Sequence, residues 1–538
     1  MLTPKELESL PQSVTELYEQ LEEDIIADMA RRIVKTDFAT DTAQWQLIQL
    51  QRMSTTHDEV FKKLSKLTNK TEKELVKLFN DAAQKSFDRD SDIYSRAGYE
   101  TIPLSENRQL QKIIAAGLEK TDGLFENLTK TTANTASRQF ENALDRAYMQ
   151  VVSGAFDYNT AVRTAIKDLA QKGIASITYP GGHTDYLDVA VRRAVLTGVS
   201  QTTGKMQEQM ADDAGCDLVE TTAHNGARPE HAQWQGKVFS RSGTSKKYPD
   251  FVSSTGYGTG AGLKGWNCRH DFFPYFEDMP NAYSEEKLQW LNNREVEYNG
   301  VKMTEYEASQ KQRAMERRIR ASKRELAGYD AGIKATDSES LKEELQTAFN
   351  RKSVVLKKQE ADLKDFCNQT GLRRDRAREQ VSAHFNSDKG KTVAFDKSVS
   401  QKAVWANKQE LKFREEQRII IEETRKDILA GKYPLEINAG NQNKHIKTSH
   451  SYIAQGEKSY IYGDLETAKA LVEKYHGTGE IKLAQSGKWT NKEFIQSDSA
   501  IGVFIDKVTN ERRETNYFSI HYGKKGTHIV PRRRRKKI

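Results

Sequence analysis

The sequence predicts a multidomain chain. A mostly helical N-terminal module with a small α+β, loop-rich part leads through a charged helical arm to a small α+β domain with an antiparallel sheet. Three observations carry this. Apolar residues recur at three- and four-residue spacing over the first 170 positions. Between 213 and 280 the composition shifts toward glycine and aromatic residues. Beyond about 441 the apolar period changes to the alternation of strands. The 538 residues leave room for several domains of about 150 residues, and with 36% hydrophobic and 30% charged residues the chain is too polar for one large enzyme core.

In order, Thr3-Pro4-Lys5-Glu6 reads as a capping box with Pro at the first helical position. Val14, Leu17, Leu21, Ile25 and Met29 then form one apolar stripe. Similar patterns predict helices over 57–97, 105–121 and 124–151. Tyr179-Pro-Gly-Gly182 breaks the run, and a helix restarts near Asp185 and continues to about Asp212. Residues 217–222 alternate like a short strand, and 223–275 read as irregular structure. These parts make an N-terminal module, 1–280, helical to 212 and loop-rich from 213.

From 281 to 435 the chain is charge-dense and helical. Thr304-x-x-Glu307 is a second capping box, and Glu316 with Arg320 is an i,i+4 pair. Sparse apolar positions predict a solvated or partner-bound arm, ending in a linker marked by Gly431, Pro434 and Asn438-Ala-Gly440. Segment 441–538 follows, with a helix at 464–475 and strands at 480–484, 500–506, 515–522 and 527–530.

Charge separates the two ends. Of the net +8, residues 441–538 hold 19 Lys+Arg against 10 Asp+Glu, while the remainder is close to neutral. Five of the 11 histidines also fall there. Three cysteines exclude a disulfide scaffold and suit a reducing compartment. No apolar run is long enough to span a membrane, and the acidic, polar start does not read as a secretory signal.

The sharpest motif is Phe518-Ser-Ile-His521-Tyr-Gly-Lys-Lys-Gly-Thr-His528-Ile-Val-Pro531. A turn centred on Lys524-Lys525 makes a hairpin that pairs His521 with His528 and Ile520 with Ile529. Alternation places Ser519, His521, His528 and Val530 on one face. Two adjacent imidazoles suit attack of an RNA 2′-OH on its own phosphate. One ring takes the 2′-OH proton, another protonates the leaving 5′ oxygen, and Lys444, Lys524, Lys525 or Arg513 supplies a cation for the phosphorane. No metal or cofactor is called for. A pair of hydrogen-bonded histidines on an ordinary hairpin explains the spacing equally well, whereas a two-His metal site has no third-ligand pattern beside it.

With Asn443-Lys444-His445-Ile446, Gly477-Thr-Gly479, Trp489-x-x-Lys-Glu493, Ile501-Gly502 and Thr515, this ending resembles the polymorphic toxin type 50 domain over 441–531. That family is assigned to the barnase–EndoU–colicin–RelE (BECR) class of ribonuclease folds. The resemblance implies site residues Lys444, His445, Glu493, Thr515, His521, Tyr522, Thr527 and His528. Where the family more usually has Ser after His-Tyr, this chain has Gly523. The tail, Arg532-Arg533-Arg534-Arg535-Lys536-Lys537, reads either as a solvated end or as a sequence-independent contact to RNA phosphates.

A second constellation joins His224-Asn-Gly-Ala-Arg228-Pro-Glu-His231-Ala-Gln-Trp234-Gln-Gly236-Lys237 to Gly256-Tyr-Gly-Thr-Gly-Ala-Gly-Leu-Lys-Gly-Trp266-Asn-Cys268-Arg269-His270. The glycine run fits no phosphate-binding motif. His224, His231, Cys268 and His270 suffice in kind for a zinc site, yet close packing that needs glycine is the reading favoured here. With Asp188–Val195, the Gln312–Arg320 stretch and Phe366–Leu372, these motifs resemble the tailed-phage minor capsid protein 2 family, related to Mu-type head-morphogenesis proteins, over most of 1–385.

The two resemblances imply a portal-proximal head protein of the virion that carries a metal-independent ribonuclease. Its expected partners are portal and capsid proteins and host RNA, with an immunity protein as a further candidate and no membrane. The virion and the host cytoplasm are its expected locations. The alternative is a purely structural protein whose basic end binds nucleic acid or portal without cleaving.

Overall fold

The computed structural model describes all residues except 39–41, 179–181, 183, 382–383, 387–390, 394–396, 456–457, 485–486, 507–510 and 534–538. Two compact units result, Met1–Asn407 and Lys408–Ile538.

In the first unit, α1 (Pro4–Ser9) starts from the expected capping box, with Glu6 N donating to Thr3 Oγ1 and Thr3 N to Glu6 Oε2. Helix α2 (Gln12–Ile33) buries the stripe of Val14, Ile25 and Met29. It meets the long helix α3 (Thr42–Arg96), the shorter α5 (Tyr158–Lys172) and, through Tyr18 against Phe125, the long α4 (Arg108–Val152). The two helices expected over 105–121 and 124–151 are one, because Gly123 at the expected break costs only about 1 kcal/mol against packing along the whole length.

Strands β1 (Ala175–Thr178) and β2 (Thr184–Tyr186) form a hairpin at the expected break, whose Tyr179–Gly181 lie outside the described residues. Helix α6 (Leu187–Asp213) crosses α4 closely. Gly117 faces Thr202 and Gly198 faces Thr121, and a Cβ at either glycine would collide with the facing hydroxyl.

The loop-rich part is built on a three-stranded sheet in the order β4–β3–β5, from β3 (Leu218–Thr221), β4 (Val238–Ser240) and β5 (Phe272–Pro274). Short helices α7 (Pro229–Ala232) and α8 (Phe251–Thr255) lie between these strands in sequence. The glycine run folds back on itself. A side chain at Gly262 would strike the backbone of Gly256, and one at Gly265 the backbone of Gly260.

After α9 (Glu285–Asn293) and the hairpin of β6 (Glu295–Tyr298) with β7 (Val301–Thr304) come α10 (Glu305–Ala335), capped as expected by Thr304 and Glu307, and α11 (Glu339–Thr370). Here the expectation of a solvated or partner-bound arm is corrected for α10 and α11. Helix α10 packs against α2, α5 and α11, burying Ile319, Leu326 and Tyr329. Small residues at Gly328 and Gly332 admit Ile166 and Leu345. The charges that made the segment look solvated are buried in pairs, Arg324–Glu22 at 3.2 Å and Lys352–Glu325 at 2.6 Å. Arg320 pairs with Asp188 at 3.0 Å, while Glu316 accepts from Gln312. The hairpin of β8 (His384–Asn386) and β9 (Lys391–Val393) precedes α12 (Lys397–Leu429), within which the two units divide.

The second unit has the predicted helix, α15 (Leu465–Tyr475), capped by Asp464, after two short helices, α13 (Ala439–Gln442) and α14 (His450–Gln455). Among the described residues of this unit there are two antiparallel sheets. The smaller is β10 (Tyr460–Ile461), β13 (Gly502–Ile505) and β14 (Arg512–Thr515), in that order. The larger has the order β11–β12–β15–β16, from β11 (Glu480–Leu483), β12 (Trp489–Gln496), β15 (Tyr517–His521) and β16 (His528–Arg532). Its core contains Val472, Ile481, Ile495, Phe518, Ile520 and Ile529. The run 515–522 divides at Asn516, whose side chain donates to Ser497 O, so Thr515 and Tyr517 belong to different sheets. Strand β12 was not foreseen. One of its two buried side chains is Glu493, which disguises the alternation.

Candidate active site: a cationic histidine cluster on the terminal hairpin

The hairpin has the register that alternation predicts, with Ile520 opposite Ile529 and His521 opposite His528. The two rings lie 4.8 Å apart between centroids, and the His445 ring stacks on His528 at 6.2 Å. His445 arrives from the other end of the unit because β16 is an edge strand. The buried Gln442 side chain accepts from Ile529 N at 2.7 Å and donates to Ile529 O at 3.3 Å, covering that edge. The 3₁₀ turn Asn443–His445 follows at once and sets Lys444 and His445 beside the hairpin. His445 Nδ1 lies 2.7 Å from Ser459 O, which fixes the proton of the neutral ring on Nδ1.

Lys492 is the residue that sequence reasoning missed. It sits opposite His521 in the β12–β15 ladder, on the histidine face. It was visible within the Trp489-x-x-Lys-Glu493 motif, but assigning it a face required knowing that this segment is a strand. Burial first, then His528, Lys492, Arg532 and His445, push the pKa of His521 down to about 3. Burial, then His445, Lys444 and Lys492, push His528 down to about 4. The charged groups acting most on either ring are thus all basic, and both rings are neutral at neutral pH. A cluster of this kind is electrostatically ready for an anion. Ser519, fully buried between the strands, has its hydroxyl 2.8 Å from His521 Nε2.

The other residues implied by the resemblance fall elsewhere. Glu493 pairs with Ile520, on the opposite, core-facing side of the sheet. Its buried carboxylate accepts from Gly477 N at 3.0 Å, Gly479 N at 2.6 Å and the Tyr522 hydroxyl at 2.6 Å. Burial, then this carboxylate, push the Tyr522 phenol well above its ordinary range. Thr527 is buried, donating its hydroxyl to Pro434 O, and its backbone pairs with Glu436 and Asn438. Pro434–Asn438, expected as a linker, is therefore bonded to the hairpin. Thr515 donates to Arg532 O at 2.6 Å and joins the two sheets.

Among the expected RNA contacts, Lys524 and Lys525 are exposed at the turn. Arg513 lies on β14, in the other sheet, paired with Glu511. The Arg532 guanidinium covers the Phe494 ring at 4.5 Å, and Arg533 is exposed. Arg534 and Arg535 lie outside the described residues.

A large helical unit joined to a small unit with a basic histidine cluster divides into a structural part and a toxin part, and the comparisons with known proteins divide the chain the same way. The model of phage minor capsid protein 2 matches residues 2–368, and the chain belongs to that family. The model of bacterial toxin 50 matches residues 437–531, which hold the whole histidine cluster. A relative named "Structural protein" from Lactococcus phage LL-H is 26% identical over 296 residues, covering 52% of this chain and 76% of that one. No solved structure matches. The chain is thus a structural protein of a phage virion, assembling with other capsid proteins and carrying a toxin domain. No helix among the described residues is long and apolar enough to cross a membrane.

Proposed function

We propose that the toxin domain is a ribonuclease that cleaves by 2′-OH transphosphorylation, carried at a portal-proximal position in the head and delivered to host cytoplasm. The observation that carries this reading is the row His445–His528–His521 flanked by Lys444, Lys492 and Arg532. A neutral imidazole accepts the 2′-OH proton. A phosphodiester seated among these cations raises the pKa of the rings it touches, so a second imidazole becomes protonated and donates to the leaving 5′ oxygen. The lysines and Arg532 hold the charge that builds on the phosphorane oxygens. All of this chemistry uses side chains alone.

His528 lies between the other two rings and touches whichever pair acts as base and acid. Glu493, Tyr522, Thr527 and Thr515 position this group, holding strands and loops without reaching its face. A producing host requires an immunity protein that covers the cationic face, and the class of fold is BECR-like.

The test is incubation of the full-length protein with transfer RNA and total RNA, beside His528→Ala. Discrete fragments from the wild type alone support the reading. A folded wild type that binds RNA and leaves it intact removes it, and makes the basic domain a nucleic-acid or portal anchor.

A further inference from the structure

His231, Cys268 and His270 meet inside the first unit, all three buried. Helix α7 delivers His231. Cys268 comes from the turn after the glycine run, where its N–H donates to Gly265 O, and His270 from the approach to β5. The two Nδ1 atoms are 3.4 Å apart, and Cys268 Sγ lies 3.8 Å from His231 Nδ1 and 3.7 Å from His270 Nδ1. One face of a tetrahedral zinc site, with its usual Zn–N and Zn–S lengths, has separations of about 3.4 Å between nitrogens and about 3.6 Å from nitrogen to sulfur.

The outer hydrogen bonds agree with ligation. His231 Nε2 lies 2.8 Å from Ala261 O, an acceptor only, so it carries the proton. His270 Nε2 lies 3.0 Å from Gln235 Oε1, which also accepts from His224 N and is thereby fixed as oxygen. Both rings therefore turn a lone pair inward from Nδ1, toward each other. The single thiol proton of Cys268 can satisfy only one of them. An imidazole whose outer N–H is held by a carbonyl-type oxygen is the usual arrangement around a metal.

We propose that His231 Nδ1, Cys268 Sγ and His270 Nδ1 bind a zinc ion. The ion ties α7, the glycine run and β5 together in a region with little regular structure. The ring of His224 stacks on His270 at 4.3 Å and the Trp234 indole meets it edge-on at 4.8 Å, completing an aromatic shell. On binding, the Cys268 thiol gives its proton to solvent, and waters of the hydrated ion leave as the two Nδ1 atoms and Sγ take their places.

Elemental analysis of the full-length protein, purified without chelator, is expected to give about one zinc per chain. Cobalt(II) added to the stripped protein gives the visible absorption of a tetrahedral site together with a thiolate charge-transfer band. Cys268→Ser removes that band and most of the metal, while His521→Asn/His528→Asn retains both, which locates the ion away from the hairpin. A wild type folded by circular dichroism that takes up neither zinc nor cobalt overturns the proposal. So does Cys268→Ser with full metal content, or metal lost only with the hairpin histidines.

Discussion

Two groups of histidines lie in the two units of this chain, and basic groups act on both, Arg269 and Arg228 on His270 as Lys492 and Arg532 on His521; their hydrogen-bond partners and their burial set them apart. Around His231 and His270 the outer partners are carbonyl-type oxygens, and the ligand atoms converge inward in a buried pocket with Cys268. Around His521 and His528, half-buried on one face at a sheet's edge, the charged neighbours are the other rings of the row and then Lys492, Arg532 and Lys444. Imidazoles with fixed outer acceptors and a thiol between them are arranged for a cation. Imidazoles among lysines and arginines are arranged for an anion. Residue type is shared, and the neighbours decide the chemistry.

The contrast breaks most visibly at the centre of the hairpin row. His528→Ala is expected to lower RNA cleavage by about 100-fold or more, with an unchanged circular dichroism spectrum. Lys492→Ala sharpens the claim that an unforeseen strand supplies a cation. It should lower cleavage about 10-fold and leave stability within about 0.5 kcal/mol. Tyr522→Phe tests the sorting of residues by face. Losing a hydrogen bond to the buried Glu493 carboxylate costs about 1.5–3 kcal/mol of unfolding free energy, read in urea, while cleavage by the folded fraction is retained.

A further effect is on pH dependence. The folded state holds His521 and His528 at about 3 and about 4, below the ordinary 6.5, so the unfolded chain binds more protons as the pH falls. Stability from these groups is complete above about 6.5 and declines from there as the pH falls through about 4 toward 3. Inorganic phosphate should recover part of the lost melting temperature in the wild type, and none in His521→Asn/His528→Asn. Equal recovery in both would show that the histidines do not form the anion site.

The hairpin was legible because strict alternation and a Gly-Lys-Lys-Gly turn fix register locally, and His521 meets His528 as that register requires. Its long-range neighbours were not legible in the same way. His445 reaches the row through the Gln442 clamp on Ile529, and Lys492 through a strand whose inward position is a glutamate. The α10 segment misled for a related reason. Its interior is partly polar, with Arg324 and Glu325 buried against Glu22 and Lys352. Apolar counting cannot distinguish a paired interior charge from a solvated one.

The most direct measurement is the end chemistry of RNA fragments produced by the full-length protein in excess EDTA. This account predicts 2′,3′-cyclic phosphate ends at an undiminished rate, since the hairpin cluster acts through its side chains while the chelator strips only the first unit. Cleavage that stops in EDTA, or fragments with 3′-hydroxyl ends, would contradict it.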